Sequence, residues 1–225
     1  MPHTSTTLSR PPAILCIGRN YADHAAEMGG SPTEQPMVFM KNPASIIGDG
    51  EPIIIPPICA EHGPQVDYEG ELAVIIDRDT RDVPEADALG MVRGYAAAND
   101  VSARWWQKHG SGGQFCRGKS FDTFCPLGAM VPAAEVGDPQ SLTLTTRLNG
   151  AIVQSSPTSL MLFPVARLIA ELSRSTTLLA GTVLLTGTPA GVGAGQSPPR
   201  FLRDGDTVEI TIERVGTLRN HVRVM

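Results

Sequence analysis

The chain has 225 residues, 41% hydrophobic and 18% charged, with 18 basic against 23 acidic side chains and a formal net charge of −5. That length suits one substantial core and forces no second domain, and with no Lys/Arg run anywhere a nucleic-acid partner is not expected. No stretch is long and apolar enough to span a bilayer, and the N-terminus lacks a signal-peptide core, so a cytoplasmic protein without membrane partners is expected. The reading is a single domain over residues 1–225, with residues 1–13 as a flexible N-terminal segment.

The 23 Gly and 19 Pro imply many tight turns and a strand-rich fold. Four cysteines, Cys16, Cys59, Cys116 and Cys125, are scattered without a C-x-x-C pair and read as free, mostly buried thiols. Cys116, near the cations of "GQFCRGK", is a nucleophile only in principle, because no partner for it is identifiable.

In chain order, "AILCIGRNY" reads as a short strand and "YADHAAEMGG" as a short Ala-rich helix that stops at a Gly pair. Such a brief helix between loops could move. "SIIGDGEPIIIPP" reads as two strand fragments around a Gly-Asp-Gly turn. "QVDYEGELAVII", residues 65–76, reads as one strand that enters the core with Asp67, Glu69 and Glu71 on the face shared by Ala73 and Ile75.

"VPEADALGMVRGY" has the apolar spacing of a short helix, and "YAAANDVSARWWQKHG" runs from a strand towards a second helix with Asp100 at the junction. "LTLTTRLNGAIVQSS" alternates around Asn149-Gly150, the strongest hairpin signal in the chain. "SLMLFPVARLIAELSRS" is the clearest helix, with Val165, Leu168, Ile169 and Leu172 as its core stripe. "GTVLLTGTPAGVGAG" runs from a buried strand into a glycine-rich turn, but its spacing misses the dinucleotide fingerprint and "QSPPR" follows where a phosphate-binding helix should start. The end, "DGDTVEITIERVGTLRNHV", suggests an antiparallel pair.

Three hard oxygen donors, Glu69, Glu71 and Asp100, suit Mg²⁺, Mn²⁺ or Ca²⁺ better than zinc. The alternative is a solvated acidic face with Asp100 capping the next helix. His24 and Glu27, three apart on a short helix, can form a carboxylate-oriented base or a plain surface pair. Lys119 in "CRGKSFDTF" can hold a substrate carboxylate or an enolate oxygen, or be a loop lysine.

"GRNYADHAAEMG", "DYEGELAVII", "GYAAANDVSARWWQ", "GGQFCRGKSFDTFCPLG" and "LLTGTPAGVG", in this order, resemble the fumarylacetoacetate hydrolase family from about Ile14 to the C-terminus. The resemblance implies an α+β fold, a mixed β-sandwich roll or barrel with flanking short helices, assembled as a homodimer with a divalent metal at its mouth. It assigns Glu69, Glu71 and Asp100 to the metal and His24 and Glu27 to a water-activating dyad on a mobile lid. Lys119 becomes the lysine beside the metal, and Gln107, Thr188 and Lys41 become substrate-binding positions. Two tryptophans in "ARWWQ" depart from the family's more polar pattern and predict a bulkier pocket wall with a smaller or flatter substrate.

The activity the resemblance implies is cleavage of a C–C bond in a 2,4-dioxo acid, of acylpyruvate or fumarylpyruvate type, to pyruvate and a carboxylic acid. Decarboxylation of oxaloacetate and isomerisation of a 2-hydroxyhepta-2,4-diene-1,7-dioate are its alternatives, with a non-catalytic metal-binding relative behind them.

Overall fold

The computed structural model describes residues 10–225, so most of the expected flexible segment, residues 1–9, lies outside the described residues. Two mixed sheets carry the fold. The six-stranded sheet runs in the order Val131–Pro132, Val92–Asn99, Gly70–Ile76, Val183–Leu185, Ile14–Gly18 and Met37–Lys41. The five-stranded sheet runs Ala151–Pro157, Thr143–Leu148, Thr207–Ile212, Gly216–Val224 and Ile53–Ile55. Each contains one parallel pair, Ile14–Gly18 with Val183–Leu185 and Gly216–Val224 with Ile53–Ile55.

Alternation decides what lies between the sheets. Leu72, Val74 and Ile76 leave one face of their strand and meet Leu144, Val208, Ile210 and Leu218 of the other sheet in the main core. Ala73 and Ile75 leave the opposite face and pack with Ile14, Cys16, Ala96, Ala98, Val183 and Leu185 in a second core. The Gly70–Ile76 strand is therefore buried on both sides, which is why it reads as an unbroken apolar run after its acids. The α+β architecture with short flanking helices is the expected one.

Asn149 and Gly150 take φ of 53° and 82°, as a type I′ turn requires, and join Thr143–Leu148 to Ala151–Pro157. Val165–Ser173 is the longest helix among the described residues; its residues Val165, Leu168 and Ile169 are fully buried. Thr207–Ile212 and Gly216–Val224 form the expected antiparallel pair.

The two expected fragments of "SIIGDGEPIIIPP" are strands, Ile46–Ile47 joining Cys125–Pro126 and Ile53–Ile55 joining the C-terminal strand. Two local expectations need correction. Glu85–Met91 is a 3-10 segment after Pro84 rather than an α-helix, and Val92 already belongs to the next strand. The stretch 65–76 is not one strand, because Val66–Asp67 pairs with Ser102–Ala103 and pairing breaks at Tyr68 and Glu69 before Gly70–Ile76 begins.

Candidate active site

That break separates the acids. Glu71 stands opposite Ala98 in the Gly70–Ile76 and Val92–Asn99 pair, and Asp100 follows the end of the second strand. The Asp100 N–H donates to the Glu69 carbonyl at 2.9 Å, and the Glu69 N–H donates to Asn99 Oδ1 at 3.0 Å. One carboxylate oxygen from each of Glu69, Glu71 and Asp100 lies within 4.8 Å of the others, and all three residues are buried. The solvated-face alternative is thereby removed.

Asp67 lies outside this cluster. It accepts from Arg104 Nε and Nη2 at 2.9 and 2.7 Å and from the N–H groups of Gly193 and Ala194 at 2.8 and 3.0 Å. Its work is to tie the start of the acidic segment to the glycine-rich turn.

The cations around the cluster are unevenly shared. Lys119 Nζ is 2.6 Å from both Glu69 Oε2 and Asp100 Oδ2; Lys41 Nζ is 2.6 Å from Asp100 Oδ1; Arg104 Nη1 is 2.6 Å from Glu69 Oε1. Burial alone would push Glu69 up, but Lys119 and Arg104 outweigh it and hold this carboxyl well below the usual range. Burial likewise opposes the Lys119 charge, and Asp100 with Glu69 overcomes it, so the ammonium is held above its ordinary value.

Among the described residues Glu71 makes no ion pair, and Lys119 offsets its raised carboxyl only in part. Glu71 Oε2 accepts from the Gly187 N–H at 2.6 Å, while burial, then Asp100 and Glu69, push its carboxyl well above the ordinary carboxylate value. A buried carboxylate crowded by two others and short of one positive charge is what a divalent cation would satisfy. The all-oxygen donor set fits Mg²⁺, Mn²⁺ or Ca²⁺.

His24 sits on the short helix Ala22–Glu27, with Nδ1 3.3 Å from Glu27 Oε2, and is 7% exposed. That excludes the surface-pair reading. Glu27 Oε1 accepts from the Gly191 N–H at 3.0 Å, which docks the helix on the glycine-rich turn. The glycines there are required by close approach, because a Cβ on Gly191 would lie 1.9 Å from the Val153 carbonyl oxygen and one on Gly195 would strike the Glu27 side chain.

A cavity of about 270 Å³ joins these parts, lined among others by His24, Glu69, Arg104, Gln107, Lys119 and Thr188. Gln107 Oε1 accepts from Arg104 Nη1 at 3.1 Å. Thr188 Oγ1 donates to the Gly70 carbonyl at 2.9 Å and accepts from Gln154 Nε2 at 2.7 Å, so it is fixed by the chain itself. Lys41 stands behind the acids, with Asp100 and the Val101 carbonyl as its partners, and does not line the cavity. Its expected contact with substrate is not what its position offers.

The tryptophans also depart from expectation. Helical spacing turns Arg104, Gln107 and Lys108 to the cavity and leaves Trp105 and Trp106 off its wall. Trp105 stacks on His62 with centroids 3.4 Å apart, and Arg117 lies 4.7 Å over the Trp106 ring. Cys116 is exposed and absent from the cavity lining, whereas Cys59 and Cys125 are buried thiols pushed up to about 12.

Arg104 is the site residue that sequence reasoning missed. Its signal was the three-residue spacing from Gln107 in "ARWWQ", which puts both on one face of a helix that follows the Asp100 junction.

Fold and site together define a mixed β-roll with a buried carboxylate cluster at the edge of a cavity the size of a small acid. The fumarylacetoacetate (FAA) hydrolase C-terminal family model matches residues 13–223, and the chain belongs to this family. It is 44% identical to the mitochondrial oxaloacetate tautomerase fahd2 of Xenopus laevis over 96% of this chain and 66% of that protein. It therefore spans about two thirds of the length of that relative. The crystal structure of 5-carboxymethyl-2-hydroxymuconate delta-isomerase from Mycobacterium smegmatis matches with a TM-score of 0.83 and 44% identity, covering 96% of this chain and 80% of that one. Fumarylpyruvate hydrolase from Pseudomonas aeruginosa, solved with Mn²⁺ and pyruvate, matches with a TM-score of 0.88 and 29% identity over 99% and 94% of the two chains.

Proposed function

We propose that the chain is a divalent-metal-dependent enzyme that moves a proton at the carbon beside the keto group of a small 2-oxo acid, with oxaloacetate keto–enol tautomerisation as its first activity. The observation that carries this reading is that His24, held by Glu27, lines one cavity with Glu69 and Lys119. The cavity, about 270 Å³, lies just below the roughly 300–1,000 Å³ of drug-sized sites and suits a small acid. The 44% identity to an oxaloacetate tautomerase supports the same substrate class.

Glu69, Glu71 and Asp100 would hold the ion, which as a Lewis acid would supply charge stabilisation at the substrate's carboxylate and 2-oxo oxygens. With its Nδ1 turned to Glu27, His24 keeps Nε2 as the basic ring nitrogen. Nε2 takes a proton from C3 in the enolising direction and returns one to C3 in the ketonising direction. The Lys119 ammonium stabilises the oxygen on which negative charge develops. Gln107 orients the acid, and the Ala22–Glu27 helix, docked through Gly191, excludes water.

Hydrolysis of a C–C bond in a 2,4-dioxo acid is the second reading, favoured by the near-complete mutual coverage with fumarylpyruvate hydrolase. In that case His24 would take its proton from a water that attacks the distal carbonyl. The proposal extends to a cytoplasmic homodimer; the four free cysteines fit a reducing compartment, and sedimentation tests the assembly. Among the described residues no helix is long and apolar enough to cross a membrane.

Chelator-stripped protein restored with Mg²⁺ or Mn²⁺ should be given enol-oxaloacetate, fumarylpyruvate and an acylpyruvate side by side. Metal-dependent loss of the enol without pyruvate release supports the tautomerase. Pyruvate from the dioxo acids with their matching free acids would transfer the assignment to the hydrolase, and no turnover of any substrate would contradict both.

A further inference from the structure

Lys119 is placed by more than the two acids it bonds. Its ammonium has three N–H donors. Glu69 Oε2 and Asp100 Oδ2 accept two of them, each at 2.6 Å, and no third oxygen acceptor of Nζ occurs among the described residues. Nζ lies instead over the ring of Phe39, with the centroid 5.0 Å away. Both residues are buried, and both line the cavity with His24.

The sequence puts the ring there by alternation on an edge strand. In Met37–Lys41, Phe39 and Lys41 leave one face and are buried, while Val38 and Met40 leave the other and are exposed. Pairing of Cys16 with Phe39 and of Ile14 with Lys41 fixes the register. One face of this strand therefore delivers Lys41 to Asp100 at 2.6 Å and Phe39 to Lys119. Phe115 closes the arrangement. Its ring packs at 64° to Phe39 with centroids 5.5 Å apart, and its carbonyl accepts from the Lys119 backbone N–H at 3.2 Å.

Resting on the proposed role of Lys119 at the developing negative charge, we infer that Phe39 is a positioning residue for the reaction, whose ring face holds the Lys119 ammonium at the cavity wall. A cation over an aromatic face is attracted by the ring quadrupole, most strongly where water is excluded. The ring holds the charge without neutralising it, which a further carboxylate could not do. Glu69 and Asp100 are also the acids that a divalent ion would claim, whereas the ring is a partner of Nζ that no ion takes away.

The test replaces Phe39, in the full chain, by its mono-, di- and trifluorinated analogues, which keep the shape of the ring nearly constant while each fluorine withdraws electron density from its face. With Mg²⁺ and enol-oxaloacetate, log kcat should fall in step with fluorination, by roughly threefold to thirtyfold in kcat for the trifluorinated ring, with KM little changed. Phe39→Leu, which removes the face and keeps an apolar side chain, should lower kcat at least as far. A kcat indifferent to fluorination reduces the ring to packing and overturns the assignment. A change confined to KM gives the ring a direct contact with substrate instead, and overturns it equally.

A spectroscopic arm is independent of turnover. In protein carrying lysine labelled at the ε carbon, the Lys119 methylene signal, identified by its loss in Lys119→Arg, should be shifted upfield by the Phe39 ring current. Phe39→Leu should return it towards the ordinary lysine position, and Mg²⁺ should leave the wild-type shift in place. If the enol is not turned over, the tautomerase reading fails while this signal still decides whether the ring holds the ammonium. A wild-type signal without the shift, or a shift that Mg²⁺ abolishes, refutes the inference.

Discussion

Glu27 and Gly191 are joined by a hydrogen bond of 3.0 Å from the Gly191 N–H to Glu27 Oε1, while the other oxygen of the same carboxylate faces His24 Nδ1 at 3.3 Å. One side chain thus orients the candidate base and latches the helix that carries it. Glu27→Ala should therefore lower kcat and increase amide exchange across residues 22–30 together. Glu27→Gln, which still offers one acceptor oxygen, should recover much of the protection and less of the rate. Exchange followed by mass spectrometry, with kcat measured on the same samples, checks both.

Among the described residues Glu71 lacks the ion pairs that Glu69 and Asp100 have, and this gives the metal-free protein a defined pH dependence. Burial, with Asp100 and Glu69, raises the Glu71 carboxyl in the folded state above its unfolded value near 4.5. A raised carboxyl contributes stability that is fully present below the unfolded value and lost as pH rises through the folded one. Chelator-treated protein should lose Tm as pH rises above the ordinary carboxylate range, and Glu71→Gln should flatten that slope. Added Mg²⁺ should raise the wild-type Tm increasingly with pH and leave the Gln variant nearly unmoved. Thermal melts across pH, with and without Mg²⁺, read all four arms.

Asp67 and Arg104 form a buried pair with two short hydrogen bonds, and Arg104 reaches Glu69 and Gln107 from the same guanidinium. Removing Asp67 leaves the buried Arg104 charge with Glu69 as its remaining carboxylate partner, at a cost of up to about 3–5 kcal/mol. Asp67→Ala should lose about that much in denaturant melts. It should also loosen the 193–194 turn, whose N–H groups lose their acceptor.

Gly118 lies where the helix of Lys119 crosses the helix of Gln107. A Cβ there would meet the Gln107 amide nitrogen at 2.5 Å and the Ala103 carbonyl oxygen at 2.9 Å, both backbone atoms that cannot swing aside. Gly118→Ala should cost about 1–3 kcal/mol by overpacking. It should also reduce turnover beyond the stability loss, because it parts Lys119 from the Arg104 helix; kcat at a temperature where the variant is fully folded separates the two.

The parts of this site written as local patterns were legible in the sequence. Glu71 with Ala73 and Ile75 follows from period-two alternation, and His24 with Glu27 follows from helical spacing. The Asn149-Gly150 hairpin and the Val165 stripe were equally local. What escaped depended on pairing between distant segments. Asp67 shares the alternation of Glu69 in the one-dimensional string, but the strand breaks between them and Arg104, 37 residues away, claims it. Lys41 looked like a substrate ligand and is buried behind Asp100, a partner 59 residues off. The tryptophans were assigned to the pocket from the motif's position, whereas the rotation of a five-residue helix decides which side chains face it.

In the proposed reaction on a 2-oxo acid, the buried acids and the His24–Glu27 pair do separate work. The direct test is His24→Ala with Mg²⁺, measuring Mg²⁺ affinity and turnover of enol-oxaloacetate on the same preparation. Unchanged Mg²⁺ affinity with kcat reduced roughly a hundred- to ten-thousand-fold is the predicted result. Full turnover in the variant, or loss of Mg²⁺ binding along with activity, would contradict the account.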